Sequence, residues 1–340
     1  VSGLARPRIL VTRRIPEEGL EILGRFCDLE VRDSRLPPSR EELTSLIGDV
    51  DGLLCLLTDR VDEAVIRAGR RLRVISSYSA GFDHIDVKAA TEAGIYVTNT
   101  PGVLTDATAD HAWALLMAAA RRIVEADGYV RSGRWREGWY PTLFLGASVW
   151  GKTIGFIGFG RIGVAAARRA KGFQMRILYY SRRRVSPELE GELSAEYKPL
   201  EDLLREADFV SLHIPLTGET WHLIDEGKLR LMKPTAILVN TSRGSVVDQT
   251  ALVKALREGW IAGAGLDVFE EEPIGPGNPL LNLENVVLTP HIASATREAR
   301  TMMAVTAAEN LLSVLRGEEP RHLVNPEVKA IRPLEEVKLL

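Results

Sequence analysis

The segment Gly158-Phe159-Gly160-Arg161-Ile162-Gly163 constrains this chain more than any other. It follows the apolar run Thr153 to Ile157 without a gap and leads into the helical pattern Ile162 to Lys171. A lone G-x-G-x-x-G carries little information, but between a strand and a helix each glycine has a mechanical task. Gly158 permits the tight turn, Gly160 lets a pyrophosphate approach the backbone, and Gly163 lets the helix pack closely on the sheet. The helix start offers free N–H groups and a partial positive charge to phosphates. Gly158, Phe159, Gly160, Arg161, Ile162 and Gly163 are therefore candidate dinucleotide-binding residues.

The rest of the pattern agrees with that turn. Strands are expected over 153–157, 175–180, 209–213, 236–240, 263–268 and 286–288, with helices over 162–171, 200–206, 225–231 and 249–258 between them. Six parallel strands with such crossovers make a doubly wound nucleotide-binding domain. Upstream, strands over 8–12, 52–57, 73–77 and 95–98 alternate with helices over 16–26, 61–68 and 84–93, a second βαβ block. An alanine-rich helix over 105–122 reads as an interdomain or intersubunit packing element, because small residues permit close approach. The aromatic loop 131–150, with Trp135, Trp139, Tyr140, Phe144 and Trp150, reads as interface or core filler. A second long helix, 295–315, and the tail 318–340 return the chain to the first block. The length of 340 residues suits two domains, and the fold class is α/β with two doubly wound parallel sheets.

Composition narrows the partners. The 43 Lys and Arg against 46 Asp and Glu leave a net charge of −3, which gives no reason to expect nucleic acid or an anionic membrane. The longest uncharged apolar run, Ala112 to Ala120, is about half a membrane span. Cys27 and Cys55 have no C-x-x-C partner and read as small core residues, so nothing demands an oxidising compartment. A cytoplasmic protein is expected. No metal-ligand spacing is present, and no metal is expected.

The cofactor's identity is read one strand further on. An acidic residue about 20 positions after the glycines would hold the ribose hydroxyls of NAD. Here the strand ends Tyr179-Tyr180-Ser181 and runs into Arg182-Arg183-Arg184. Ser181 with Arg182 and Arg183 suits a 2′-phosphate, so NADP(H) is favoured, with NAD(H) possible; a solvated arginine run is the alternative. Ile214 and Pro215, after the 209–213 strand, are further candidate cofactor contacts.

Three neighbouring strands end in reactive side chains: Arg243 after 236–240, the run Glu270-Glu271-Glu272 after 263–268, and His291 after 286–288. Their carboxyl ends border the half of the crevice that would hold a nicotinamide. Reduction of a 2-oxo acid needs a fixed cation for the substrate's oxygens, which suits Arg243, and a proton donor for the developing alkoxide, which suits His291. A glutamate beside the imidazole would orient it and favour its charged form.

These segments, together with Ser79 to Asp86, Asn99 to Asp110, Asn240 to Gly244, Gly265 to Pro273 and Thr289 to Ala293, resemble the D-2-hydroxyacid dehydrogenase family over nearly the whole chain. Within it the chain is most similar to the glyoxylate/hydroxypyruvate reductases. The resemblance implies a catalytic trio of Arg243, Glu272 and His291, with Glu272 chosen from the acidic run because it precedes proline. It implies that Thr108, Thr241, Ser242, Asp267 and His291 contact cofactor, that the backbone at Ala80 and Gly81 binds the substrate carboxylate, with Arg243 as a further clamp, and that Leu57 lines the pocket. A Rossmann nucleotide-binding domain, 102–291, is expected to be inserted into a flavodoxin-like substrate domain, 1–101 plus 292–340, with homodimers formed through the nucleotide domains. The implied reaction is reduction of glyoxylate or hydroxypyruvate to glycolate or D-glycerate by NADPH. The alternatives are another D-2-hydroxyacid or phosphoglycerate dehydrogenase using NAD(H) and, more remotely, a nucleotide-sensing module similar to the family's corepressors. Leu143 stands where such reductases often carry Trp.

Overall fold

A computed structural model describes residues 6–340. Two compact units are present, one of the chain up to Leu104 with Ala295–Leu340, the other Thr105–Ser294.

The first unit opens with β1 (Arg8–Val11), α1 (Glu17–Gly24), β2 (Asp28–Val31), α2 (Arg40–Leu46), β3 (Gly52–Cys55), α3 (Glu63–Ala68), β4 (Val74–Ser77), α4 (Val87–Glu92) and β5 (Tyr96–Thr98). Ser39, Asp62 and Asp86 start α2, α3 and α4 by accepting from backbone N–H groups of the first turn. The strands form one parallel sheet in the order β2-β1-β3-β4-β5, the flavodoxin-like order. Leu10, Leu53, Ile75 and Val97 pack on one face with Ile47, Val65 and Ile66.

The second unit runs α5 (Thr105–Ala120), α6 (Ile123–Arg131), β6 (Thr153–Ile157), α7 (Arg161–Gly172), β7 (Arg176–Tyr180), α8 (Pro187–Leu193), β8 (Ala195–Tyr197), α9 (Leu200–Glu206), β9 (Phe209–Leu212), α10 (Glu226–Leu229), β10 (Ile237–Asn240), α11 (Gln249–Glu258), β11 (Gly263–Leu266) and β12 (Val286–Leu288). Its parallel sheet has the order β12-β11-β10-β9-β6-β7-β8. It has seven strands where six were expected. The extra one, β8, is a three-residue edge strand whose sequence Ala-Glu-Tyr has no apolar run to announce it. β9 lies beside β6 at the centre of the sheet. The sheet order therefore reverses between β6 and β9, where a doubly wound sheet opens its ligand crevice.

The alanine-rich helix of the sequence is α5, Thr105–Ala120. α5 packs against α7, β10 and β11 within its own unit. Gly265 makes room for it, since a Cβ there would lie 2.9 Å from that of Leu115. Left-handed Arg122, at φ 52°, turns the chain into α6, a helix with no buried residue.

The chain returns to the first unit through α12 (Arg297–Leu315) and α13 (Leu334–Val337). α12 lies on β3, β4 and β5, and against α1 so closely that a Cβ at Gly19 would be 2.8 Å from Ala304. Buried Asn325 then ties the tail to the sheet: its Oδ1 accepts from Val97 N at 2.8 Å, and its Nδ2 donates to Ile95 O and Thr91 Oγ1 at 2.9 Å each. Among the described residues no helix is long and apolar enough to cross a membrane. Cys27 and Cys55 are buried free thiols.

Asn325→Ala removes three hydrogen bonds and strands a buried backbone N–H and a carbonyl. It is expected to destabilise the first unit by roughly 2–4 kcal/mol, read as a lower urea midpoint for that unit's transition.

Candidate active site

The glycine turn behaves as its spacing demands. Gly158 has φ 93°, and a Cβ there would sit 2.3 Å from His213 O, so the turn is pressed against the end of β9. A Cβ on Gly163 would lie 2.2 Å from Gly158 O, whereas one on Gly160 would meet nothing within 4 Å. Two glycines thus serve internal packing and the middle one faces open space. Gly160 is the N-cap of α7 and supplies no side-chain acceptor, and no acidic residue occupies the first turn. Phe159 is buried on Tyr179, while Arg161 and Ile162 begin the helix. Free N–H groups, the helix dipole and an open cradle suit a pyrophosphate.

At the end of β7, Ser181 donates to Arg183 O, and Arg182 and Arg183 are exposed. Arg184 instead folds back on Glu190. Arg182 has Glu219 at 3.9 Å as its nearest carboxylate. At the end of β9, His213 is buried, its Nε2 2.9 Å from Ser211 Oγ, and burial pushes its imidazole down to about 4. It is neutral under the turn. Ile214 follows, with its side chain against Gly158, and then Pro215.

Thr108 is buried on α5, and Thr241 is buried after β10 with its Oγ1 unpartnered among the described residues. An orphaned hydroxyl at a strand's carboxyl end, on the sheet that carries the open glycine turn, fits a polar ligand such as a dinucleotide. Asn240 shapes the loop that follows: its Oδ1 accepts from Ser242 N and Oγ, and its Nδ2 donates to Arg243 O at 2.9 Å. Arg243 is extended, with Nη1 on Ser242 O at 2.8 Å. Gly244 is obligatory, because a Cβ there would overlap the Phe269 carbonyl carbon at 1.8 Å.

The acidic run after β11 divides by task. Glu270 accepts from Gln249 N at 3.0 Å and pairs with His222 at 2.8 Å, so it and the nearby N-cap Asp248 serve the start of α11. Glu272 instead accepts from Phe269 N through one oxygen and holds His291 Nδ1 at 2.7 Å through the other. Both partners of this pair are about three-quarters buried, at 22% and 24% side-chain exposure. With Nδ1 committed to the carboxylate, Nε2 is the nitrogen left to exchange a proton with a substrate.

His291 is held at φ 54° by its neighbours. Asp267, fully buried, accepts from Thr289 Oγ1 at 2.7 Å, Ile292 N at 2.8 Å and Ala293 N at 2.7 Å, and His291 N donates to Asp267 O at 2.9 Å. His111 of α5 completes the set, 3.0 Å from Thr289 Oγ1 and 3.3 Å from Asp267. Burial alone would raise this carboxyl's pKa, but the donors of His111, Ile292, Thr289 and Ala293 outweigh it and hold it below the ordinary value. The Asp267 carboxylate, which the resemblance sets against cofactor, is here engaged by the His291 loop. From the sequence alone Asn240 and Thr289 carry no separate role and His111 a weak one; a polar residue closing an apolar strand is the available signal for Asn240.

Glu272 and His291 are thus in contact, and Arg243 leaves the next strand of the same sheet. Leu57 follows β3, and Ala80 and Gly81 follow β4, all partly exposed in the first unit.

Comparison with known proteins agrees with this architecture. The model of the D-isomer specific 2-hydroxyacid dehydrogenase NAD binding domain matches residues 113–293. A glyoxylate reductase of Korarchaeum cryptofilum is 60% identical over 328 residues, covering 96% of this chain and 98% of its own. A crystal structure of a Thermus thermophilus protein superposes with a TM-score of 0.88 at 49% identity, covering 93% of this chain and 99% of that one. An NADPH-dependent glyoxylate/hydroxypyruvate reductase of Sinorhizobium meliloti, solved with NADP and malonate, gives 0.84 at 35% identity, with coverage of 95% and 98%. The chain belongs to the D-isomer specific 2-hydroxyacid dehydrogenase family.

His213 carries a pH prediction. Its folded pKa of about 4 lies below the 6.5 of an unperturbed histidine, so its burial costs nothing above pH 6.5 and destabilises the fold as pH falls toward 4. Between pH 7 and pH 4 the parent should lose about 3 kcal/mol more than His213→Gln at 1.36 kcal/mol per pKa unit, measured by urea unfolding of both at each pH.

Proposed function

We propose that this protein reduces glyoxylate, and hydroxypyruvate, to glycolate and D-glycerate with NADPH, as a cytoplasmic homodimer. The Glu272–His291 contact at 2.7 Å carries the reading, because it makes a proton-donor pair at strand ends of the sheet that also carries the open dinucleotide turn. The glyoxylate reductase names of the relatives, at 56–60% identity over nearly the whole chain, support the substrate.

A bound nicotinamide supplies the hydride for the substrate's carbonyl carbon. His291 gives the Nε2 proton to the carbonyl oxygen, and Glu272 keeps the ring in orientation through Nδ1. Arg243 holds substrate oxygens by its forked donors, and the Ala80 and Gly81 backbone holds the carboxylate, with Leu57 lining the pocket. Thr108, Thr241, Ser242, Ile214 and Pro215 line the cofactor, and Asp267 acts on it through the His291 loop. The absence of a carboxylate after β7, with Ser181, Arg182 and Arg183 there instead, favours the 2′-phosphate of NADP(H). The dimer reading rests on α6 and the segment after it, where Ile123, Val124, Val130, Trp135, Trp139 and Leu145 are all exposed.

The test is initial rates with glyoxylate, hydroxypyruvate, pyruvate and 3-phosphohydroxypyruvate, each with NADPH and NADH. Glyoxylate with NADPH should lead; a preference for phosphohydroxypyruvate would overturn the substrate assignment. His291→Ala should lower kcat by about 10²- to 10⁴-fold with NADPH affinity within about twofold by fluorescence titration. Removing both Arg182 and Arg183 guanidinium groups by alanine should cut kcat/KM for NADPH by roughly 10- to 100-fold and spare NADH. Equal losses with both cofactors would remove those residues from cofactor selection.

A further inference from the structure

The loop after β4 has an unusual division of its polar groups. The carbonyls of three consecutive residues are all engaged: Ser79 O accepts from Thr100 N at 2.9 Å, Ala80 O from Asn99 Nδ2 at 2.7 Å, and Gly81 O from Ser79 Oγ at 2.6 Å. Among the described residues, the N–H groups of Ala80, Gly81 and Phe82 donate to no protein acceptor. Engaged carbonyls followed by successive amides with no protein acceptor leave backbone donors for an anion.

Behind this loop lies a row of side chains whose hydrogen-bond direction can be worked out. Ser79 has one hydroxyl proton, and it goes to Gly81 O. Its 2.7 Å contact with Ser77 Oγ is therefore one in which Ser77 donates. That uses the Ser77 proton, so the 3.2 Å contact between Ser77 Oγ and His84 Nε2 is donated by the imidazole. The order is His84 Nε2–H to Ser77, Ser77 to Ser79, Ser79 to the Gly81 carbonyl. Both serines are buried, Ser77 completely, and Cys55 Sγ packs 3.9 Å from the same Nε2 as a neutral thiol kept protonated by burial.

We propose that His84, Ser77 and Ser79 are positioning residues, a one-way hydrogen-bond relay that fixes and polarises the Ala80–Gly81 loop and so sets how tightly it grips the carboxylate of a 2-oxo acid. The inference rests on the assignment of Ala80 and Gly81 as the carboxylate site. Each bond in such a row strengthens the next. The row ends on the carbonyl of the Gly81–Phe82 peptide, and electron density drawn to that oxygen makes the N–H of the same peptide a stronger donor. Without Ser79 Oγ, the Gly81 carbonyl is free to swing toward the cradle, where it would repel an anion.

The test is steady-state kinetics of Ser79→Ala, Ser77→Ala, His84→Leu and His84→Gln, with oxalate as a carboxylate probe that accepts no hydride. Ser79→Ala should raise both the KM for glyoxylate and the inhibition constant of oxalate about five- to tenfold, with kcat within about twofold and NADPH affinity unchanged. His84→Leu should raise both constants, and His84→Gln, which returns an N–H near the Nε2 position, should recover most of the loss. A merely structural role would lower the melting temperature without moving the oxalate constant or giving that rescue. A folded Ser79→Ala with unchanged constants overturns the relay; if it does not fold, Ser77→Ala decides in the same way. Ala80→Pro, which deletes one cradle N–H, separates the two levels. Weaker oxalate binding in Ala80→Pro but not in Ser79→Ala removes the relay and keeps the cradle. No change in either places the carboxylate elsewhere and removes both.

Discussion

The buried carboxylate of Asp267 is the constraint on which the second unit's reactive face depends. A charge taken out of water costs several kcal/mol unless it is met by donors. Here the donors come from Thr289, Ile292, Ala293 and His111, so the cost is offset only when the β12 loop is in place. The loop in turn carries His291, whose backbone could not hold a positive φ without being pinned on both sides. Burying one anion therefore fixes the orientation of one imidazole, and Glu272 completes it from the neighbouring loop.

The same close bracing governs the strand ends beside it. Gly244 lets the β10 loop rest directly on the backbone after β11, and Gly158 lets the phosphate turn rest on the end of β9. A side chain at either position would force the neighbouring strand ends apart. Polar residues then brace each loop: Asn240 for Arg243 and Glu270 for the start of α11. The chemistry is spread over several short loops, each stiff because it is packed on the next.

In the first unit β3, β4 and β5 are buried along their whole length, so the loops at their ends are what these strands present. The loop after β4 is shaped by hydrogen bonds from Asn99, Thr100 and Ser79, which leave the N–H groups of Ala80, Gly81 and Phe82 without a protein acceptor among the described residues.

The glycine spacing, the strand that precedes it and the Arg, Glu and His at three strand ends were legible in the order of residues, because period and turn chemistry are local properties. The short strands β2 and β8 were not, since Asp-Leu-Glu-Val and Ala-Glu-Tyr are too brief for their alternation to be told from a loop and are strands because a neighbour offers its edge. The sheet against which the alanine-rich helix packs in its own unit was not legible, because small residues permit close packing without saying on what. Three consecutive glutamates could be told apart by chain order only through a resemblance. Physically, it was the fold that turned Glu270 toward α11 and Glu272 onto His291, since which of adjacent side chains reaches a given atom is decided by the path of a loop in space.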